Sequence, residues 1–271
     1  MRYLLACLLL LSWLPLTTPA IDYDDKQSLT ADEIISKHLE AAGGKAALSK
    51  FQSRIAIGTV KKENDPEAQM AIMSESPNRV SAVFIFSKYD WQLTYDGTKS
   101  FIRPLLPREY SPIQDKYQEV LSSGVMFNSI SLYNVLLDRE SSGTKFEAKG
   151  IKKIQDRQTY VIDMKRSKGL SARLYFDAAT FMWVRTDYGK AHISKPMGQF
   201  TNAVVPHGED ELIVDFYFET SDFRDVDGVK LPFKFEQVVT YPIIQQRKVG
   251  TLSGTIVEYR HNVTIDPKMF K

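Results

Sequence analysis

Between Phe51 and Thr264, outside 103–143 and 189–211, apolar residues return at every second position in a series of short runs, and several of these are apolar at both parities. Period two belongs to strands, because successive Cβ atoms point to opposite faces of a sheet. In Arg79 to Phe86, Val80, Ala82, Phe84 and Phe86 share one face, while Val83 and Ile85 lie on the other. In Leu212 to Phe218, Leu212, Val214, Phe216 and Phe218 are aligned opposite Ile213 and Tyr217. Tyr160, Ile162 and Met164 line one face of a further strand. Strands of this kind need cover on both sides. One side can be packed by helices while the other lines a cavity, or the whole can be a filled core.

The turns favour an antiparallel meander over βαβ units. Asp96-Gly97, Asp177 to Thr180 and Asp225 to Gly228 are tight turn signals between short strands. The strands expected are about 53–60, 69–74, 79–86, 91–95, 145–150, 157–165, 172–176 and 181–188, then three long ones, 212–223, 229–241 and 247–264. Residues 189–211, with His192 and His207, read as an excursion between strands.

Helices are expected in two places. Thr30-Ala31-Asp32-Glu33 is a capping box, in which the Thr30 hydroxyl accepts from the Glu33 N–H and Glu33 reaches back. Ile34, Ile35, His38, Leu39 and Ala42 follow at helical spacing, Gly43-Gly44 stops the helix, and a short turn over 45–50 succeeds it. His38 reads as a packed or edge histidine. The second place is 103–143, where Pro112 to Ser122 and Asn128 to Arg139 read as a helical pair, either packed on a sheet face or forming a lid over an opening.

Residues 1–20 have the layout of a cleavable signal peptide: Arg2, then an apolar run from Leu4 to Leu16, then small residues up to Ala20. The run is short for a membrane span, which needs roughly 20 apolar residues. Residues 21–29 form a polar leader, and 30–271 the domain. The only cysteine, Cys7, lies inside the signal, so the exported chain has no disulfide and no thiolate chemistry. Formal net charge is +2, and the basic pairs are scattered, which gives no footprint for nucleic acid.

The search for chemistry finds little. Asp225-x-Asp227-Gly228 has part of a calcium loop, but Phe223 stands where an earlier ligand is needed and Lys234 where the glutamate is. It reads as a hairpin turn. The four histidines, His38, His192, His207 and His261, are far apart in sequence, so no metal site is expected. There is no nucleophile elbow, phosphate loop or dinucleotide fingerprint. Neither an enzyme nor a cofactor is expected. A hydrolase using dispersed carboxylates is the lowest-ranked reading. Asn262-Val263-Thr264 is a formal glycosylation sequon at a strand end.

In their order, several segments resemble the LolA-like proteins, often described as outer-membrane lipoprotein-sorting proteins. These are Thr30-Ala31-Asp32-Glu33-Ile34-Ile35 with Gly43-Gly44-Lys45-Ala46-Ala47-Leu48, Ser53-Arg54-Ile55-Ala56-Ile57-Gly58-Thr59-Val60, Tyr95-Asp96-Gly97, Tyr175-Phe176-Asp177, and Phe223-Arg224-Asp225-Val226-Asp227-Gly228-Val229-Lys230-Leu231-Pro232-Phe233. The resemblance runs from about residue 30 to the end. It implies a mainly β (α+β) chain: a strongly curved antiparallel sheet forming an open half-barrel, with an N-terminal helix and an inserted helical pair covering the concave face. It also implies a periplasmic, non-catalytic protein that binds or shuttles lipoprotein acyl chains or other lipid, beside an inner-membrane transporter or an outer-membrane acceptor. The family also holds envelope sensors, so a stress sensor or scaffold acting by protein contact is the alternative. Two departures stand out. The 189–211 excursion matches no family motif, and the lid arginine of the lipoprotein carrier has no counterpart by motif; Arg103 and Arg108 are only in the right region. The expected apolar wall is Val80, Phe84, Phe86, Trp91, Tyr160, Met164, Phe216 and Phe218, with Leu132 and Leu136 on the lid. Alternation does not say which face is concave.

Overall fold

The computed structural model of the chain describes residues 29–62, 65–87, 90–104, 111–112, 127–132, 134–137, 139, 143–166, 171–194, 211–240 and 248–271. The expected signal peptide and all of the leader but Leu29 lie outside these residues.

Helix α1 (Ala31–Ala41) starts at the capping box: the Glu33 N–H donates to Thr30 Oγ1 at 3.2 Å, and the Thr30 N–H donates to the Glu33 carboxylate at 2.8 Å. It stops at Gly43, whose φ of +118° suits glycine. A Cβ there would lie 2.4 Å from the Gly228 carbonyl oxygen. The double glycine thus ends the helix and also lets it nest against a distant hairpin turn, where the Lys230 N–H donates to Ala42 O at 3.0 Å. A short helix, α2 (Lys45–Ser49), leads into the sheet.

The strands are β1 (Ser53–Lys62), β2 (Ala68–Glu75), β3 (Arg79–Ile85), β4 (Asp90–Tyr95), β5 (Ser100–Pro104), β6 (Ser111–Pro112), β7 (Thr144–Ile154), β8 (Arg157–Arg166), β9 (Ser171–Asp177), β10 (Trp183–Ser194), β11 (Glu211–Val226), β12 (Val229–Thr240) and β13 (Lys248–His261). They form one sheet, ordered β6-β5-β4-β3-β2-β1-β13-β12-β11-β10-β9-β8-β7. The chain makes two meanders joined by the β1–β13 pairing, and the sheet is open, with β6 and β7 at its ends. Phe84 of β3, Ile162 of β8, Phe216 of β11 and Ile35 of α1 belong to one packed cluster, although β3 and β8 are far apart in the hydrogen-bonded order. The sheet therefore curls around its inner face and packs against α1. This is the open half-barrel that the resemblance implied.

The outer face has its own cover. Met73 and Val83 pack with Ile265 and Phe270 from the C-terminal segment, which ends in a 3-10 turn, Pro267–Phe270. Beneath it, Gln92 Nε2 donates to Ser81 Oγ at 2.6 Å and also reaches the Met269 carbonyl. β2 and β3 carry buried apolar residues on both faces because both are covered, while on the outer face Ser81, Gln92 and Thr94 bond to one another or to the C-terminal segment.

Four expectations need correction. Asn128 to Arg139 is not one helix: a 3-10 turn (Asn128–Ile130) is followed by extended Ser131, with ψ of 177°, and by a single helical turn, α3 (Asn134–Leu137). Pro112 lies in β6, opposite Phe101, while the rest of the expected 112–122 helix falls outside the described residues. Strand β7 runs on to Ile154 through a bulge between Ala148 and Ile151, where Gly150 takes φ +82°. Finally, the first part of the 189–211 excursion is strand, with Lys190 to Ser194 paired to β11; residues 195–210, His207 included, lie outside the described residues.

Candidate functional site

The inner face of β1 carries Arg54, Ala56, Gly58, Val60 and Lys62, all at one parity and all buried. Two cations at inward positions break an otherwise small and apolar row. Arg54 is 1 % exposed. Its Nη1 donates to the carbonyls of Ser129 and Ser131, each at 3.0 Å, and lies 3.5 Å from that of Ile130. This explains why 128–139 is not a continuous helix: the carbonyls that an α-helix would use four residues on instead face a guanidinium from the sheet. Charge-assisted bonds of this kind outweigh the neutral ones that they replace.

A chain of contacts holds Arg54 in turn. Its Nε donates to His261 Nε2 at 2.9 Å, and His261 Nδ1 lies 2.7 Å from Asp227 Oδ2. Because Nε2 accepts, the neutral ring carries its proton on Nδ1 and donates it to Asp227. Desolvation pushes the His261 pKa down, which preserves that tautomer, while Asp227 opposes the shift. Phe51 stacks on His261 at a 3.8 Å centroid distance. Asp227 itself sits in the two-residue turn joining β11 and β12, with φ +51° followed by φ +83° at Gly228, so the fragment with a calcium-loop look is a hairpin turn.

The 3-10 turn is fixed at a second point. Thr186 Oγ1 donates to Asn128 Oδ1 at 2.6 Å, and Asn128 Nδ2 reaches Phe218 O at 3.5 Å. Phe127 meets Phe218 edge-on at 6.0 Å. Ile130, Leu132, Val135 and Leu136 complete a lid whose apolar side is buried in the main cluster. Arg139 Nε, 3.0 Å from Asp32 Oδ1, ties the lid's far end to α1.

Most of the residues expected to form a ligand wall are packed together on this inner face. Val80, Phe84, Phe86, Met164, Phe216 and Phe218 are buried in the main cluster with Leu132 and Leu136, and Tyr160 packs against it. Phe84 and Trp91 are register partners, but the Trp91 side chain lies outside the described set. Arg103 is in β5 with its side chain likewise outside that set, and Arg108 falls wholly outside it. Position against the lid belongs to Arg54. Its sequence signal was a charge at an inward parity of β1, which alternation reveals only once the concave face is known.

A separate cleft of about 360 Å³ opens on the outer face, lined among others by Arg157, Arg185, Glu219, Lys234, Glu236 and Thr255. Arg185 spans the Asp187 and Glu219 carboxylates there, at 2.5 and 3.0 Å. His38 is fully buried, with Nδ1 3.0 Å from Phe181 O and its ring near Phe176 and Trp183. Burial pushes its pKa down to about 4. Among the described residues, no three His, Cys, Asp or Glu side chains converge to hold a metal ion.

No protein-family model and no curated protein matches this sequence. Solved structures do. A domain from Vibrio parahaemolyticus described as an outer membrane lipoprotein-sorting protein is 11% identical, with a TM-score of 0.48, covering 87% of this chain and 97% of that one. A LolA superfamily protein from Nitrosomonas europaea is 12% identical, with a TM-score of 0.47, over 90% and 98% of the two chains. MucB in complex with MucA matches over 86% and 100%, with a TM-score of 0.23 and 11% identity. What the site can do follows from its own residues.

Proposed function

We propose that this protein is a periplasmic, non-catalytic binder and carrier of an apolar ligand, a lipoprotein acyl chain or another lipid, held on the concave face. The observation that carries this reading is the division of that face. Over β10–β12 it is covered by a lid pinned through Arg54 and Asn128. Over β2–β4 it continues as an apolar wall of Met70, Ile72, Val80, Ala82, Phe84 and Leu93, each buried at no more than 6 % exposure. Each methylene moved from water onto such a wall is worth about 0.8 kcal/mol, so ten of them supply roughly 8 kcal/mol before the costs of association. Release then requires a membrane or a protein that competes for the chain, which is the role of a transporter or an acceptor.

The pinned lid favours a second reading, a sensor or scaffold whose groove is filled by its own chain and which works by protein contact. Native mass spectrometry of protein released gently from the periplasm, followed by organic extraction, separates the two. The carrier reading expects co-purifying acyl species that are lost in Phe84→Asp and Phe216→Asp variants which remain folded by circular dichroism. A clean apo mass with no uptake of added lipid sinks the carrier and leaves the scaffold.

A further inference from the structure

Between the exposed turn at Asp227 and the lid, the polar contacts run in a single series. The Asp227 carboxylate, 61 % exposed, meets Nδ1 of His261, whose side chain is 3 % exposed. His261 Nε2 accepts from Arg54 Nε, and Arg54 Nη1 reaches the Ser129 and Ser131 carbonyls. Of these groups only the histidine titrates near neutrality. Arginine stays charged and has no acceptor, so its Nε can bond Nε2 only while that nitrogen carries no proton. A second proton on the ring turns the acceptor into a donor and sets an imidazolium against a guanidinium 2.9 Å away. Nε and Nη1 belong to one rigid plane, so repulsion at Nε also moves Nη1 off the lid carbonyls.

The surroundings do not cancel that repulsion. The charged groups facing the ring are Arg54 of β1, Lys50 from the segment between α2 and β1, and Asp227 from the β11–β12 turn. Lys50 Nζ lies 3.4 Å from the Asp227 carbonyl oxygen and 5.2 Å from the centroid of Phe51, the ring stacked on His261. Two cations thus stand against one carboxylate, and water screens that carboxylate. Opening the lid lets Arg54 leave His261, after which the ring takes a proton more readily. By linkage, acid favours the open lid.

We propose that His261 positions Arg54 and serves as a proton-operated latch: neutral, it holds the arginine on the lid, and protonated, it drives the arginine off and loosens the cover of the apolar face. The use made of that opening rests on the apolar-ligand reading above. Burial and the two cations hold the ring's pKa below its ordinary 6.5 against the pull of Asp227, so the latch is shut at neutral pH and yields on the acid side. The second pin has no titrating group, since Asn128 is held by Thr186 and the Phe218 carbonyl. Acid therefore loosens the lid without detaching it.

The test uses the full chain expressed for export and stripped of lipid. Hydrogen exchange of peptides covering 127–137, corrected for the intrinsic effect of pH, is followed from pH 7.5 to pH 5, with β12 as internal reference. Lid protection should fall at least about fivefold, the low end of ordinary coupling between sites, while β12 keeps its own. His261→Gln, which takes no proton, should abolish the response. Asp227→Asn, at a position of φ +51° that asparagine tolerates, should move the response to lower pH, because the carboxylate that favours protonation is gone. Nitrogen-15 shifts of the His261 ring should place the proton on Nδ1 at pH 7.5. A lid indifferent to pH, a loss shared by β12, a response that survives His261→Gln or moves upward in Asp227→Asn, or a proton on Nε2 at pH 7.5 overturns the latch. Acid opening that depends on His261 but leaves the protein unable to take up oleate upholds the latch and sinks the apolar-ligand reading.

Discussion

Arg54 is the residue on which the lid depends. Its bonds to the 129–131 carbonyls exist only while the lid is closed. By linkage, removing them shifts the balance toward an open lid and any ligand bound under it. Arg54→Leu is expected to retain severalfold more lipid through purification than the wild type, while the lipid-free protein loses about 2–3 kcal/mol in urea unfolding; unchanged retention would separate the arginine from gating. His38 gives a pH dependence. Its folded pKa, near 4, lies below the unfolded value near 6.5. The unfolded chain therefore binds the extra proton first. Stability is full above about pH 6.5, falls as pH drops toward 4, and loses about 3 kcal/mol in all. Urea titrations at pH 7.5 and pH 4.5 check this, and His38→Gln should flatten the difference between them.

At the scale of the element, the lid and β13 show how neighbours override local pattern. The apolar spacing of Leu132, Leu136 and Leu137 is helical, but one guanidinium claims the carbonyls upstream of it, and only α3 remains. Nothing in the spacing of 128–139 carries information about an arginine more than seventy residues earlier. Gly254 of β13 has a comparable dependence: a Cβ there would lie 2.0 Å from the Phe235 ring, which covers the glycine and stacks on Phe218 at 5.1 Å. Gly254→Val is expected to displace that ring and cost about 1–3 kcal/mol by overpacking, measured as a lowered urea midpoint with unchanged slope. An unchanged midpoint would show that Phe235 moves away freely. The start of α1, by contrast, was legible because a capping box is complete within four residues.

For the whole molecule, the sheet stands between two layers. The C-terminal segment seals the outer face of β2–β4 through Ile265 and Phe270, with Arg79 set 4.9 Å over the Phe270 ring. Phe270→Ala should therefore cost about 3 kcal/mol and expose Met73 and Val83, detected by denaturant unfolding together with increased dye binding. A loss under about 0.5 kcal/mol, the usual range for surface changes, would show that the tail is not integral to the fold. The need for two covers was readable from Val80, Ala82 and Phe84 against Val83; the identity of each cover was not.

Most strand positions, though not β5 and β6, the turn at Asp227-Gly228, the capped helix and the shared parity of Val80, Phe84 and Phe86 were written locally, because period, cap and turn chemistry each act over a few residues. The bulges at Gly58 and Gly150, the closure of two meanders through β1 and β13, and the choice of concave face were decided only when the sheet curled. That choice gave Arg54 and Lys62 their meaning. On a strand seen alone they are two basic residues at even positions, and only a curved sheet packed on its inner side turns those positions into buried charge.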